Sequence, residues 1–519
     1  MCIPVTRSMP GQLTLGYREQ LNQVSAYVDS SFVYGSDVCE MNTLRAFTSG
    51  KMNITRSPAR GKPLMPQITT HPECKSSSKV CFRAGDARAS EQPGLAALHT
   101  LFLREHNRIA EQLSTLNPHW GDEKLYQTAR RILSAVTQHI GYSEFLPRLF
   151  GWHGVHRHGL TLQTEGYFQG YDADCDATIV NEFAAAAFRF GHSLLRPTLL
   201  RMDADYSERT PGVRLRDTFF NPDVLYQAGM VDELIRGLAG TPMETLDQFI
   251  SSEVTNHLFE DRKMPYSGMD LANFVIKLAR DHGIPGYNEY RAWCNLTRAR
   301  DFDDLKREIP SPVVENLRRL YIHVDDIDLF PGGLAETPLM GGVVGPTFAC
   351  IIGHQFRLLR RCDRFWYENE DPLVRFTEAQ LADIRKVTLS RLVCNNLDQV
   401  SKIQRSILDL ADPFLNPRVP CRNIASLDLE LWKERLSCTV GHTTIDVGSA
   451  ERISPCVMCT CTTEGPICQS LKIGNCFNLA RSFSHAAVLD DHVCKVQCAF
   501  VFRALPRVVD PVDNQLGFS

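Results

Sequence analysis

Two runs decide how this chain reads: G-D-A-R-A-S-E-Q-P at 85–93 and N-E-F-A-A-A-A-F-R-F-G-H at 181–192. In the first, Arg88 stands three residues before Glu91, and Pro93 opens a helical stretch. Leu95, Leu98, Phe102, Ile109 and Leu113 recur there at helical spacing. By itself Glu91 reads as a first-turn acid favoured by the helix dipole, with Pro93 suited to the same turn. In the second run, Phe183 to Phe190 leaves almost no polar face, which predicts a helix buried all round. Its alanines let a flat ligand or another helix come close. Arg189 and His192, three apart, project from one face. A buried arginine needs an anionic partner. By itself this helix reads as a core histidine beside an arginine paired with a protein carboxylate.

Together the runs describe two helical walls around a flat anionic cofactor. Haem is such a group: its propionates suit Arg189, and a neutral imidazole such as His192 is a standard ligand for its iron.

Composition sets the bounds. With 519 residues, 43% of them hydrophobic, the chain can build one large core or several smaller ones. A net charge of −4 with both signs interspersed leaves no nucleic-acid footprint. No apolar run is long enough to span a bilayer, and Met1-Cys2-Ile3-Pro4 opens no signal peptide. The cysteines point the other way. There are 18, eight of them from Cys438 to Cys498, which reads as a disulfide framework from an oxidising compartment. The sequons at Asn53 and Asn295 are compatible with secretion. The expectation is a secreted chain whose true N-terminus lies upstream of this sequence. Free thiols in a cytosolic protein are the alternative.

Residues 1 to about 90 read as loop-rich. Beyond the 94–113 stretch, helices are expected near 122–141, 179–194, 223–237, 243–260, 268–282, 312–322, 347–359 and 378–393, with few strands. The run 281–287 is a helix stop. His153, His156 and His158 have loose metal-like spacing, but their Gly and Arg neighbours read as an exposed turn. The character changes near Trp432, giving a mainly α domain over 1–436 and a cysteine-rich tail over 437–519 with little helical periodicity. Cys456-x-x-Cys459 has the spacing of a zinc or redox pair, yet its crowd of neighbours favours disulfides.

From Cys2 to about Trp432 the chain resembles the animal haem peroxidases, the superfamily of myeloperoxidase, thyroid peroxidase and peroxidasin. It is most similar to the peroxidasin and invertebrate branch. The resemblance rests on Y-V-D-S-S-F-V-Y-G-S (27–36), A-G-D-A-R-A-S-E-Q (84–92), L-H-T-L-F-L-R-E-H-N-R-I-A (98–110) and A-F-R-F-G-H-S-L (187–194). It continues through R-D-H-G-I-P-G-Y-N (280–288), G-P-T-F-A-C-I-I-G (345–353) and D-R-F-W-Y-E-N (363–369). It implies the helical fold of that family and a b-type haem. His192 becomes the proximal iron ligand and Arg88 the arginine that polarises bound peroxide. Glu91 becomes an ester link to a haem methyl, and Arg189 the partner of a propionate. Gln92 stands where myeloperoxidase has a haem-bonded methionine, so that link is not expected. The loop S-A-Y-V-D-S-S (25–31) matches the family's calcium loop, with oxygens from Ser25, Tyr27 (backbone), Asp29 and Ser31. Without the resemblance, a simple turn is the better reading of that loop. The resemblance also pairs Cys74 with Cys81, Cys294 with Cys350 and Cys394 with Cys421, and leaves Cys2 alone.

Three departures stand against the match. The family's distal histidine, its neighbouring glutamine and an aspartate joining haem and calcium come from a motif upstream of Cys2. Val275 occupies the place of an asparagine that accepts the proximal histidine's ring N–H, and Asn273 points elsewhere on a helix. Leu278 replaces an arginine kept near the haem. Arg88 cannot act as a base, and His99 and His106 match ordinary helical positions of the family.

The resemblance therefore implies a secreted peroxidase that uses hydrogen peroxide to oxidise a halide or a phenolic donor such as tyrosine, in extracellular matrix or immune defence. The rival expectation is a non-catalytic extracellular scaffold that has lost turnover and uses its tail for adhesion or assembly. By its cysteine cluster the tail resembles a von Willebrand factor type C module.

Overall fold

The computed structural model describes residues 6–11, 15–57, 61–261, 263–434 and 436–503. The chain divides into two compact units, Met1–Trp432 and Lys433–Ser519. Cys2 lies outside the described residues.

The first unit is mainly α-helical. Its longest helix, Pro93–Leu116, begins at Gln92, whose side-chain oxygen accepts from Gly94 N at 2.7 Å. This satisfies one of the amides that a helix start leaves unpaired. Ala96, Ala97, Leu101, Ile109, Ala110 and Leu113 are fully buried along it. Burial of each leucine or isoleucine contributes about 2 kcal/mol. The charged stretch in its middle ties the helix to its surroundings. Arg104 donates to the carbonyls of Lys62, Pro63 and Asn396 at 2.7–3.0 Å. Glu105 accepts from Asn396 at 2.6 Å, and Asn107 accepts from Met52 N at 2.7 Å. These groups can be buried because each is paired.

Asp122–Ile140 packs beside it and runs through a wide turn, Gly141–Phe145, into Leu146–Arg157. Met230–Gly240, Leu271–Asp281, Ser311–Leu320 and Pro346–Arg361 form near their expected places. Strands are short and mostly in two-stranded pairs, such as Thr198–Met202 with Glu208–Arg214.

Several expectations are corrected. The 179–194 stretch is not one buried helix: Asn181–Ala185 is α-helical, the backbone breaks at Ala186, and Ala187–Leu194 is a 3₁₀ helix. Ala184 is exposed and Phe188 is 39% exposed, so one face stays open. The 243–260 helix shrinks to Ser252–Thr255, because Pro242, Ser251 and Ser252 favour turns and caps over helix interior. The 223–237 stretch splits at Gly229, and 378–393 splits into Glu378–Ile384 and Leu389–Asn396. His153 and His156 are exposed as expected, but they lie on the Leu146–Arg157 helix rather than in a turn, and His158, which caps it, is half-buried.

Cys74–Cys81, Cys294–Cys350 and Cys394–Cys421 are bonded. So are Cys175 and Cys362, a pair absent from the expected set. Cys39 is free and exposed. The Asn53 amide donates to Arg45 O at 2.8 Å, whereas Asn295 is exposed.

The second unit holds a two-stranded pair, Ser437–Val440 with Thr443–Asp446, and a three-stranded antiparallel sheet. Contrary to expectation, three short helices follow, Cys476–Phe483, His485–Asp490 and His492–Arg503. Four disulfides join Cys438–Cys461, Cys456–Cys494, Cys459–Cys468 and Cys476–Cys498. Its buried clusters are small, so these bonds carry much of its stability. Cys456 and Cys459 are thus structural half-cystines. No helix of the described residues is long and apolar enough to cross a membrane.

Candidate active site

The turn carrying Arg88 is held by close packing. A Cβ on Gly85 would meet Ser31 O at 2.1 Å, so only glycine lets this turn rest on the Ser31–Tyr34 backbone. Asp86 then caps the Ala87–Ser90 turn, accepting from Arg88 N at 2.9 Å. The same carboxylate takes both arms of the Arg88 side chain, Nε at 2.9 Å and Nη2 at 2.6 Å. Burial works against the Asp86 charge, but the Arg88 hydrogen bonds outweigh it and hold the carboxyl below its usual range. The Asp86 bond in turn raises the guanidinium. The Arg88 side chain remains 67% exposed. Burial pushes the Glu91 carboxyl up, against the pull of Arg88.

Asp86, Arg88, Glu91 and His99 line a cavity of about 530 Å³ over Leu95 and Leu98. His99 is buried, with Nδ1 unpartnered, and burial lowers it to about 4. His106 is different. Its ring bonds the Tyr34 hydroxyl at 2.7 Å and Gly50 O at 2.8 Å, so both nitrogens are used in the core.

The facing wall is the broken 181–194 segment. In a 3₁₀ helix residues three apart eclipse one another, which sets Arg189 and His192 one above the other. His192 is lowered to about 4 by burial and then by Arg189, so its imidazole is neutral. Its Nδ1 is buried without a partner. The Leu271–Asp281 helix packs against this segment and contributes Val275, which is fully buried and offers no acceptor. Arg189 donates to Ala184 O at 2.8 Å and is ion-paired with no carboxylate among the described residues, contrary to the reading of an arginine paired within the protein. Burial lowers it, Arg88 adds to that, and Glu91 opposes both. Arg88, Glu91, Arg189 and His192 therefore share one electrostatic neighbourhood.

In the 25–31 loop, the Asp29 carboxylate accepts from Ser25 Oγ at 2.6 Å and from Ser31 N at 2.9 Å. Ser25 Oγ also accepts from Tyr27 N at 3.3 Å, and Ser134 Oγ donates to Asp29 O at 2.7 Å. Burial, with Asp29 adding to it, pushes the Asp363 carboxyl up to about 6. Sequence reasoning passed over Asp86 and the cavity-lining position of His99. The acid two residues before Arg88 was the available signal for Asp86. His99 had none, because its position shows only once the helix is docked.

A family model described as animal haem peroxidase matches residues 1–408. Peroxidasin homolog of Mus musculus is 41% identical over 429 residues, covering 80% of this chain and 28% of the relative. Thyroid peroxidase of Sus scrofa is 40% identical over 436 residues, covering 80% and 45%. The chain thus spans less than half the length of these relatives. The solved structure of peroxidase A from Dictyostelium discoideum matches with a TM-score of 0.65 at 30% identity, over 79% of this chain and 76% of that one. This chain belongs to the animal haem peroxidase family.

Proposed function

We propose that this chain holds a b-type haem between the Arg88–Glu91 turn and His192, and uses hydrogen peroxide to oxidise a halide or a phenolic donor such as tyrosine. The observation that carries this reading is the shared field of Arg88, Glu91, Arg189 and His192, of which Arg88 and Glu91 line one cavity. These residues fit the cofactor. His192 is a neutral imidazole, as an iron ligand must be. Arg189 is a cation without a carboxylate partner among the described residues, suited to a propionate. Burial raises the Glu91 carboxyl, which stands at the place of an ester link. When bound, haem supplies the redox centre at which peroxide is reduced to water and the donor oxidised.

The residues divide the remaining work. Arg88, held by Asp86, presents a fixed positive charge where a departing oxygen turns negative. It cannot deprotonate, so a separate base moves the proton. The Ser25–Ser31 loop, with Tyr27 contributing its carbonyl, holds a calcium ion through Asp29. Eight disulfides support secretion into an oxidising compartment. We read 1–436 as the peroxidase domain and 437–519 as a von Willebrand factor type C-like tail that contacts extracellular matrix proteins.

One observation favours a second reading. His192 Nδ1 is buried without a partner, and the resemblance sets Val275 at the place of its acceptor, which would weaken the imidazole as a ligand. A non-catalytic scaffold or adhesion protein would tolerate that. Peroxide-dependent oxidation of iodide and of tyrosine, measured with haem-loaded protein and with Arg88→Ala, separates the two. The enzyme reading expects turnover that falls on the order of 10²-fold or more in the variant. Equal rates in both proteins contradict it.

A further inference from the structure

Arg157 and Arg357 come from separate helices, Leu146–Arg157 and Pro346–Arg361, and both line a cavity of about 510 Å³. The proposed reaction does not use it. His153, His158, His354 and Trp293 share the lining, and Leu339 gives it an apolar side. No aspartate or glutamate lines it, and neither arginine is ion-paired with a described carboxylate. Burial lowers His158 to about 4, and Arg157 and Arg357 both add to that, so the two cations converge on this ring. His354 is lowered by burial and by Arg357, with Glu182 opposing. Glu182 lies outside the lining and is hydrogen-bonded to the Tyr290 hydroxyl.

The histidines do not form a metal site. Among the described residues, metal-ligand spacing occurs at Cys456, Asp491 and Cys494, where the two sulfurs are bonded to each other. One wall of the cavity is instead a close contact between two lining residues. A Cβ on Gly353 would lie 2.6 Å from His158 Cγ, so glycine lets that ring lie against the helix backbone. The Trp293 ring stands edge-on to His354, centroids 5.4 Å apart.

Two permanent cations sharing a cavity without a counter-ion repel one another, and a bound anion relieves that repulsion. Guanidinium groups match a carboxylate in a planar fork and also stack on flat rings. The indole and the apolar side suit a planar hydrocarbon body, and the volume is that of small-molecule sites. We propose that this cavity binds an aryl carboxylate, its carboxylate between Arg157 and Arg357 and its ring against Trp293.

The test is calorimetric titration of the full chain with 2-naphthoate and with its neutral counterpart 2-naphthalenemethanol. Saturable one-to-one binding is expected, at least about tenfold tighter for the anion. Arg157→Met with Arg357→Met should weaken naphthoate at least about tenfold, while Arg361→Met should leave it unchanged. Binding should also survive Arg189→Met, which separates this cavity from the proposed haem site. Absence of saturation, equal affinity for the neutral compound, indifference to the double variant, or loss with Arg189→Met would each overturn the proposal. Arg157, Arg357 and Arg361 are exposed and Arg189 is half-buried, and unchanged thermal unfolding confirms that the variants fold.

Discussion

Arg88 and Asp86 form a two-pronged ion pair inside one turn, Nε to Oδ1 at 2.9 Å and Nη2 to Oδ2 at 2.6 Å. The carboxylate that caps the turn therefore also aims the guanidinium. Asp86→Asn keeps a capping oxygen but weakens the grip on Arg88. The expected result is a folded protein that reacts with peroxide roughly tenfold more slowly, about 1.4 kcal/mol in barrier. Stopped-flow mixing with hydrogen peroxide checks it, and an unchanged rate would show that Arg88 needs no such support.

Val275→Asn tests the proposal that Val275 stands at the place of the acceptor that His192 Nδ1 lacks. Partners of this kind raise the basicity of a ligating imidazole and are worth on the order of 10- to 100-fold in metal affinity. The variant should hold haem more tightly and shift the iron's reduction potential downward. Spectroelectrochemistry reads the shift; identical potentials would place Val275 away from the His192 ring.

His106 predicts a pH dependence of stability. Burial lowers it to about 4 in the folded chain, against about 6.5 when unfolded. Between those values the unfolded chain binds more protons. The contribution is therefore complete above about pH 6.5 and is lost as pH falls toward 4. Glu144 and Glu336 act oppositely: burial raises both to about 7, so their contribution fades as pH rises through that value. His106→Gln should flatten the loss of stability between pH 7 and pH 5 seen by urea unfolding. A slope as steep as wild type would contradict the assignment.

Cys175–Cys362 closes a loop of 187 residues. Chain entropy assigns such a crosslink about 4–5 kcal/mol. Replacing both cysteines by serine should lower the thermal midpoint by roughly 10–20 °C, at about 2–4 °C per kcal/mol for a large domain. A midpoint equal to wild type would show that native packing alone fixes these segments.

Much of the fold was legible because its helices carry long apolar periodicities, as in Pro93–Leu116, where Gln92 and Pro93 also mark the start. The 181–194 segment misled for a physical reason. Its alanines and phenylalanines are apolar all round, yet Ala184 and Phe188 face the open side, which composition cannot distinguish from a core. At the site, Arg88, Glu91, Arg189 and His192 were legible as two walls around one cofactor, whereas the Asp86 grip on Arg88 and the lining position of His99 were not, since they depend on how the segments dock. Cys175–Cys362 was not legible either, because cysteine pairing across 187 residues leaves no local pattern. His158 was read as exposed because its neighbours are Arg157 and Gly159, whereas Gly353 on a remote helix makes room for its ring.

We propose that His192 ligates haem, with Arg88 and Glu91 on the other wall of the site. The most direct test is an absorption titration of the purified chain with haemin, alongside His192→Ala. The account predicts one haem per chain with a strong Soret band in wild type, and loss of that band in the variant. A Soret band of equal intensity and stoichiometry in His192→Ala would contradict it.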